Sequence, residues 1–169
     1  MDATPGIEIR AVAADAPVAA ALRSAVDDEL RRLYAGVIDA RLEDTPSAGP
    51  RDLAPPGGAF LVAFEDGRPV ACGGIKQLAP GTGEVKRMYV VPAARGRGHA
   101  RRLLAALERT AAELGHRRMR LDTGPRQPHA RALYESAGYE PIPDYNGNPF
   151  AAHWFEKELP GSARGAGPG

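Results

Sequence analysis

The stretch from residue 84 to 115 constrains the fold most, because it joins a strand, a loop with two glycines and a long helix. Alternating apolar residues predict a strand over 84–91, which Pro92 ends. Leucine and alanine residues at helical spacing predict an amphipathic helix over 98–114. A strand that passes directly into such a helix is typical of a domain in which helices cover a sheet.

The rest of the chain predicts a mixed α/β domain. Further strands are predicted over 7–12, 59–64, 69–78, 119–123, from 139 onward and over 152–159, and further helices over 17–33, 34–42 and 128–137. Asp66-Gly67 predicts a tight hairpin, and the Pro- and Gly-rich segment 45–58 predicts a loop. We expect one domain over 6–159, between a flexible N-terminus at 1–5 and a disordered tail at 160–169.

Composition excludes several classes of protein. The single cysteine, Cys72, excludes an intrachain disulfide framework and a multi-cysteine metal site, and the four histidines lack ligand spacing, so we expect no metal. No apolar run reaches the roughly 18 residues that span a bilayer. The first residues lack the basic stretch and apolar core of a signal peptide, so we expect a cytoplasmic protein that does not bind membranes.

The formal net charge of +1 conceals an uneven distribution along the chain. The segment 84–131 is strongly basic, whereas the segments before and after it are acidic. Such a pattern indicates a polyanionic ligand near the basic segment, and a solvated, arginine-rich helix face is the alternative interpretation.

The loop Arg95-Gly96-Arg97-Gly98-His99-Ala100 offers a specific place for an anion. Amide groups at the start of a helix lack internal partners and point at one spot, where the helix dipole adds positive charge. The two glycines let the backbone approach a phosphate closely. The loop fits neither the P-loop nor the dinucleotide-binding spacing, and a tight strand-to-helix turn remains the structural alternative.

Three motifs make the chain resemble the GNAT acetyltransferase superfamily. The loop 95–100 is similar to the family's Arg/Gln-x-x-Gly-x-Gly/Ala signature, and it follows a strand that ends in proline. Residues 130–139 are similar to the element Ala-x-x-Leu-Tyr-x-x-x-Gly-Phe/Tyr, and residues 154–159 resemble the closing strand. The resemblance covers 7–159. It implies the GNAT fold, a twisted and mostly antiparallel sheet of six to seven strands with one splayed parallel pair and about four flanking helices.

The resemblance also implies a site for acetyl-CoA in a V-shaped cleft between the splayed strands. The pyrophosphate would lie on the loop amides, the pantetheine arm would pair with the preceding strand, and an amide near Met88 or Tyr89 would polarise the thioester carbonyl. The residues thus assigned to acetyl-CoA are Met88, Tyr89, Val90, Arg95, Gly96, Arg97, Gly98, His99, Ala100 and Gln127. Gln127 stands where the family often has asparagine, which is a departure from the pattern.

For the chemistry, the resemblance implies Tyr134 as the general acid that protonates the leaving thiolate. Glu84 is the candidate base, acting through water, and Asp122 is an alternative. Tyr134 as a core aromatic and Glu84 as a surface carboxylate are the structural alternatives. The candidate acceptor-binding residues are Tyr34, Tyr145, Asn148 and His153, together with the loops 45–58 and 141–149.

The implied function is an N-acetyltransferase that moves an acetyl group from acetyl-CoA to a primary amine of a small molecule or peptide, by direct attack in a ternary complex. A non-catalytic acyl-CoA-binding sensor or partner domain is the first alternative. A basic nucleic-acid-binding module is less favoured, because the arginines are not interleaved with aromatic residues. The acceptor, the length of the acyl group and the oligomeric state stay open, and a homodimer is compatible with the resemblance.

Overall fold

The computed structural model describes residues 6–36, 46 and 48–161. The strands are β1 (Ile7–Ala11), β2 (Ala59–Glu65), β3 (Arg68–Ala79), β4 (Thr82–Val90), β5 (Arg118–Thr123), β6 (Glu140–Ile142) and β7 (His153–Glu158). The α-helices of these residues are α1 (Pro17–Tyr34), α2 (His99–Glu113) and α3 (Pro128–Ser136), and a short 3₁₀ turn covers Pro92–Ala94.

All seven strands form one sheet in the order β1-β2-β3-β4-β5-β7-β6. β4 and β5 run parallel, and the other neighbouring strands of the described chain are antiparallel. The parallel pair begins at Thr82 opposite Arg118 and ends at Glu84 opposite Arg120. Beyond that point β4 continues to Val90 and β5 to Thr123 without pairing to each other, so the sheet splits into a V.

Helix α2 packs on one face of the sheet through the stripe that the sequence predicts. Leu103, Leu104, Leu107 and Ala111 are buried, and Leu114 packs partly buried at the end of the stripe. On β3, a Cβ at Gly73 would lie 2.8 Å from both the Leu107 side chain and the Met88 sulfur, so the glycine allows the helix to approach. Helix α1 covers a second apolar cluster that includes Phe60, Val62 and Cys72.

The mixed α/β class and the splayed parallel pair are confirmed, and the strand count agrees with the prediction. The residues that the structure describes contain three α-helices, where about four were expected for the whole chain. The helical segment predicted over 34–42 lies outside the described residues from 37 onward, as do the N-terminus at 1–5 and the tail from 162. The 3₁₀ turn after β4 was not predicted; it begins at Pro92, whose ring fixes a φ that suits a helical turn.

Candidate active site

A cleft of about 1210 Å³ opens where β4 and β5 separate. Its walls are the outer half of β4, the end of β5, the C-terminal half of α1 and the first turns of α2 and α3. The sequence-predicted residues that line it are Tyr34, Met88, Tyr89, Val90, Arg95, Gly96, Gly98, His99, Ala100, Gln127, Tyr134 and Asn148. The predicted residues outside this lining are Glu84, Arg97, Tyr145 and His153.

The glycine loop forms one end of the cleft. Gly96 and Gly98 have left-handed backbones, with φ of +78° and +82°, and Gly98 immediately precedes α2. A Cβ built on either glycine meets nothing within 4 Å, so the backbone faces open space. The first amides of the 15-residue helix α2 have no carbonyl of their own helix to bind. This end of the cleft is therefore suited to a phosphate group.

The arginines of the loop are held in ion pairs. Arg95 lies 2.5 Å from a Glu29 carboxylate oxygen on α1, and Arg97 lies 2.8 Å from Glu65 on β2. The buried ring of His99 lies 3.6 Å from the same Glu65 carboxylate. Both loop arginines therefore already have a carboxylate partner, although about half of each arginine side chain stays exposed.

The outer half of β4 presents a free strand edge to the cleft. Its register against β3 shifts beside Arg87, which has a φ of +59°, so β4 contains a bulge at that point. The Arg87 guanidinium forms an ion pair with Asp27 of α1. Since β5 no longer pairs with β4 there, backbone groups near Met88 can bind an extended ligand as a further strand would.

Tyr134 lines the cleft from α3 and is 5% exposed. Its ring meets that of Tyr139 edge to face, with centroids 5.8 Å apart. Burial, and secondarily the nearby Asp122 carboxylate, raise the pKa of the Tyr134 phenol above its ordinary value. The hydroxyl therefore remains protonated at neutral pH and can donate a hydrogen bond into the cleft.

Glu84 lies where the parallel pairing ends, buried behind the cleft at 1% exposure. One carboxylate oxygen is 2.9 Å from the Lys86 ammonium, and the other accepts a 2.5 Å hydrogen bond from the Tyr145 hydroxyl. Burial and the Glu84 carboxylate raise the pKa of Tyr145, which keeps this phenol a donor. Glu84 is thus a buried carboxylate with partners on both oxygens. The alternative interpretation of Glu84 as a surface carboxylate is wrong.

Asp122, at the end of β5, does line the cleft. The side-chain amide of Asn146 donates to it at 2.6 Å and that of Asn148 at 3.1 Å. The Asn146 amide also lies 3.5 Å from Glu84, and its oxygen accepts a 2.9 Å bond from the Trp154 indole. The loop before β7 therefore ties both carboxylates together through Asn146. Sequence reasoning selected this loop but not Asn146.

Tyr34, at the end of α1, belongs to the same side of the cleft. Its hydroxyl accepts a 3.4 Å bond from the Arg126 backbone amide, and its ring meets Phe150 edge to face at 5.5 Å. Burial raises the pKa of Tyr34. His153 instead faces Phe155 and lies 3.5 Å from Arg131, away from the cleft lining.

Gln127 and Cys72 have local roles. The Gln127 side-chain oxygen accepts the Gly124 amide at 3.1 Å, within the turn that precedes α3. The Cys72 thiol is buried and donates to the Arg87 carbonyl at 3.3 Å. Burial raises the pKa of Cys72 to about 12, so it is not a nucleophile at neutral pH. Within residues 6–36, 46 and 48–161, no cluster of three His, Cys, Asp or Glu side chains could hold a metal ion.

Half of the basic residues in segment 84–131 form ion pairs with described residues of the acidic segments that flank it. Six of its twelve Lys and Arg residues do so, in the pairs Arg87–Asp27, Arg95–Glu29, Arg97–Glu65, Arg118–Glu158, Arg120–Glu156 and Arg131–Glu135. This pairing reduces the positive charge that the segment could offer to a nucleic acid. In the described part of the chain, no helix is both long and apolar enough to cross a membrane.

Known proteins share both the sequence motifs and the fold. Residues 25–139 match the model of the Acetyltransferase (GNAT) family. The chain is 40% identical over 111 residues to the IAA acetyltransferase of Azospirillum brasilense, which covers 63% of this chain and 72% of that protein. It is 32% identical over 120 residues to the uncharacterized N-acetyltransferase YsnE of Bacillus subtilis, covering 68% and 80% of the two chains.

Solved structures agree with these sequence relatives. A protein assigned as an acyl-CoA N-acyltransferase from Klebsiella pneumoniae superposes with a TM-score of 0.72 at 29% identity, covering 90% of this chain and 97% of that one. An N-acetyltransferase from Thermoplasma acidophilum in complex with coenzyme A has the same fold, with a TM-score of 0.62 at 19% identity, covering 90% and 99%. The chain therefore belongs to the GNAT family and is an acyltransferase, so the predicted family and class of enzyme are confirmed.

The Glu84–Lys86 pair leads to a prediction about stability. Glu84→Gln leaves the Lys86 ammonium, whose side chain is 12% exposed, without its carboxylate partner. We expect the free energy of unfolding to fall by about 3 kcal/mol, measured by urea denaturation. Glu158→Gln removes the nearer of the two carboxylate partners of Arg118, in an exposed pair, and should cost under about 1 kcal/mol. Equal losses of unfolding free energy in the two variants would show that the buried Glu84–Lys86 pair stabilises the fold no more than an exposed pair does.

Proposed function

We propose that this protein transfers the acetyl group of acetyl-CoA to a primary amine of a small molecule or peptide. The observation that supports this most strongly is the split of the sheet after Glu84 into a cleft with the glycine loop at one end and Tyr134 on its wall. The family supplies the use of an acyl-CoA, and the acetyl group and the amine acceptor are the finer parts of the proposal.

In this proposal the pyrophosphate of acetyl-CoA binds the amides of residues 96–100. The open positions above Gly96 and Gly98 support this, because the ligand can lie against bare backbone. The pantetheine arm pairs with the free edge of β4, which brings the thioester towards Met88 and Tyr89. An amide there polarises the thioester carbonyl as the amine attacks.

The transfer itself needs one bond formed, one broken and two proton movements. The amine nitrogen bonds to the thioester carbon, the carbon–sulfur bond breaks, and coenzyme A leaves with the electron pair on sulfur. The Tyr134 hydroxyl donates a hydrogen bond and then its proton to that thiolate. A carboxylate takes the proton that the attacking nitrogen loses, and Tyr134 is reprotonated from solvent.

Two carboxylates compete for the proton of the amine. Asp122 lines the cleft, near enough to Tyr134 for its charge to raise the pKa of the phenol. Glu84 lies behind the lining, where Lys86 and Tyr145 occupy its oxygens, so it reaches the amine only through intervening groups. We propose that Asp122 accepts the proton, and that Glu84 supports it by anchoring Tyr145 and Asn146.

A screen for thiol released from acetyl-CoA across a panel of amines tests the function. We expect thiol release that depends on one class of amine, and an acetylated product by mass spectrometry. When both substrates are varied, we expect double-reciprocal plots of the initial rate to intersect. Intersecting plots follow from direct attack in a ternary complex, and an acyl-enzyme on Cys72 is not expected because that thiol is buried and protonated. Parallel lines would indicate an acyl-enzyme, and binding of acetyl-CoA without transfer to any amine would favour the sensor alternative.

A further inference from the structure

Most charges that line the cleft are already matched by an opposite charge. Lys86 pairs with Glu84, Arg87 with Asp27, and Arg31 with Asp28. Arg95 pairs with Glu29 beside the glycine loop. Arg101, near the same end, donates at 2.8 Å to the neutral Ser136 hydroxyl, so its charge is not matched there. The other side of the cleft is formed by the end of β5 and the turn before α3. Charged side chains there that have no oppositely charged partner are the groups that an acceptor could bind.

Two unmatched charges remain on that side, one negative and one positive. Asp122 is held by the neutral amides of Asn146 and Asn148, with no cation within ion-pair distance among the described residues. Arg126 is exposed, and within the same described ranges no carboxylate pairs with it. Both residues line the cleft, and their Cα atoms, with three residues between them, lie at most ~14 Å apart.

The Arg126 side chain is held in place while most of its donors stay free. One terminal nitrogen donates to the Leu33 carbonyl at 3.2 Å, and the backbone amide donates to the Tyr34 hydroxyl at 3.4 Å. A guanidinium has five N–H donors, so the planar fork keeps free donors that match a carboxylate.

A continuous set of contacts joins the two charges into one wall. Asp122 accepts a hydrogen bond from Asn148, whose side-chain oxygen accepts the Phe150 amide at 3.0 Å. The Phe150 ring packs on Tyr34, whose hydroxyl accepts the Arg126 backbone amide. The wall needs a glycine at 124, because a Cβ there would lie 1.7 Å from the Tyr34 hydroxyl. The spacing of the two charges is therefore set by packed groups.

We infer that the acceptor is a zwitterion, an amine that also bears a carboxylate, of the amino-acid class. Its ammonium lies beside Asp122, which attracts the positive charge, and its carboxylate binds the fork of Arg126. The ammonium releases one proton to solvent before attack, and Asp122 takes the second proton, which the nitrogen loses as the amide forms. The inference rests on the proposed function and adds to it the acceptor's second charged group. An acceptor with two amines and no carboxylate would leave Arg126 facing a like charge.

The test compares amino acids with their carboxamides, which keep the amine and lose the negative charge. Thiol release from acetyl-CoA is measured for wild type, Arg126→Gln, Arg126→Lys and the control Arg109→Gln, which removes an exposed charge outside the cleft lining. For the best amino acid we expect Arg126→Gln to raise KM by about 10- to 100-fold. Arg126→Lys should recover part of this loss, and KM for the carboxamide and the Kd of acetyl-CoA should not change.

Carboxamides used as well as amino acids, or an unchanged KM in Arg126→Gln, would overturn the zwitterion while leaving acetyl transfer intact. Transfer to none of the amino acids by a protein that binds acetyl-CoA would also overturn it. If the wild-type protein does not bind acetyl-CoA, the proposed function itself is overturned. Failure of the zwitterion inference and failure of the proposed function therefore give different results.

Discussion

Replacing Tyr134 by phenylalanine is expected to lower kcat by about 10²- to 10⁴-fold, the range in which a positioned acid contributes. The variant removes one hydroxyl from the cleft wall and keeps the ring that packs against Tyr139. The Kd of acetyl-CoA should stay within about twofold, because the loop and β4 that bind it are untouched. Steady-state kinetics and calorimetric binding, measured on the same preparation, separate the two effects.

Tyr139→Phe is the matched control for this variant. Tyr139 is a buried tyrosine in contact with Tyr134, but it does not line the cleft. Its kcat should equal that of wild type. A Tyr134→Phe enzyme with full turnover, or equal losses in both variants, would remove the acid role and leave Tyr134 as a core aromatic.

The pH dependence gives a second check on Tyr134. An unperturbed phenol loses its proton near pH 10, but burial and Asp122 raise the pKa of Tyr134 above that value. The acid is therefore present below the raised pKa and is lost only as the pH passes it. We expect no fall in kcat between about pH 8 and pH 10 from ionisation of this group.

Asp122→Asn is expected to have the second large effect, a fall in kcat of about 10²-fold or more. The neutral amide cannot take the amine's proton, and it faces the amide donors of Asn146 and Asn148 where a carboxylate accepted both. The loss should appear at every pH tested, because a neutral amide cannot act as a base. Asp28→Asn removes an exposed carboxylate outside the cleft lining and should leave kcat unchanged.

Glu84→Gln decides between the two carboxylates. We expect it to keep most of its kcat and to lose mainly stability, because Glu84 is buried against Lys86 behind the cleft lining. If Glu84→Gln loses about 10²-fold in kcat while Asp122→Asn keeps its kcat, the base is Glu84, and the proton travels through the groups that separate Glu84 from the cleft.

Local patterns predicted the fold and the glycine loop that the structure places at one end of the cleft. The stripe on α2, the hairpin at Asp66-Gly67 and the two glycines before α2 are each encoded within a few residues, so sequence spacing was enough to place them. The family motifs then supplied the splay of β4 and β5. The exact point of the split, at Glu84, depends on register between distant strands, which no local pattern specifies.

The acceptor side could not be predicted in the same way. Asn146 contacts Glu84 and Asp122, and Arg126 contacts the end of α1, across large separations in sequence. Their residue types suit ordinary loop positions as well as a binding wall, so only the folded chain distinguishes the two. For the same reason the sequence did not show that Glu84 lies behind the cleft while Asp122 lines it.

The central claim is that the cleft beside the glycine loop binds acetyl-CoA. Isothermal titration tests it with wild type, Gly98→Leu and Gly67→Leu, with free coenzyme A for comparison. The two glycines have nearly equal φ, +82° and +79°, and equally open surroundings, so the variants share backbone strain and differ in position.

We expect saturable, micromolar binding of acetyl-CoA to wild type and to Gly67→Leu, and a loss of about 100-fold or more in Gly98→Leu, whose side chain occupies the phosphate position. Equal binding by all three proteins would place the ligand elsewhere. No binding of acetyl-CoA or coenzyme A to the wild-type protein would contradict the account.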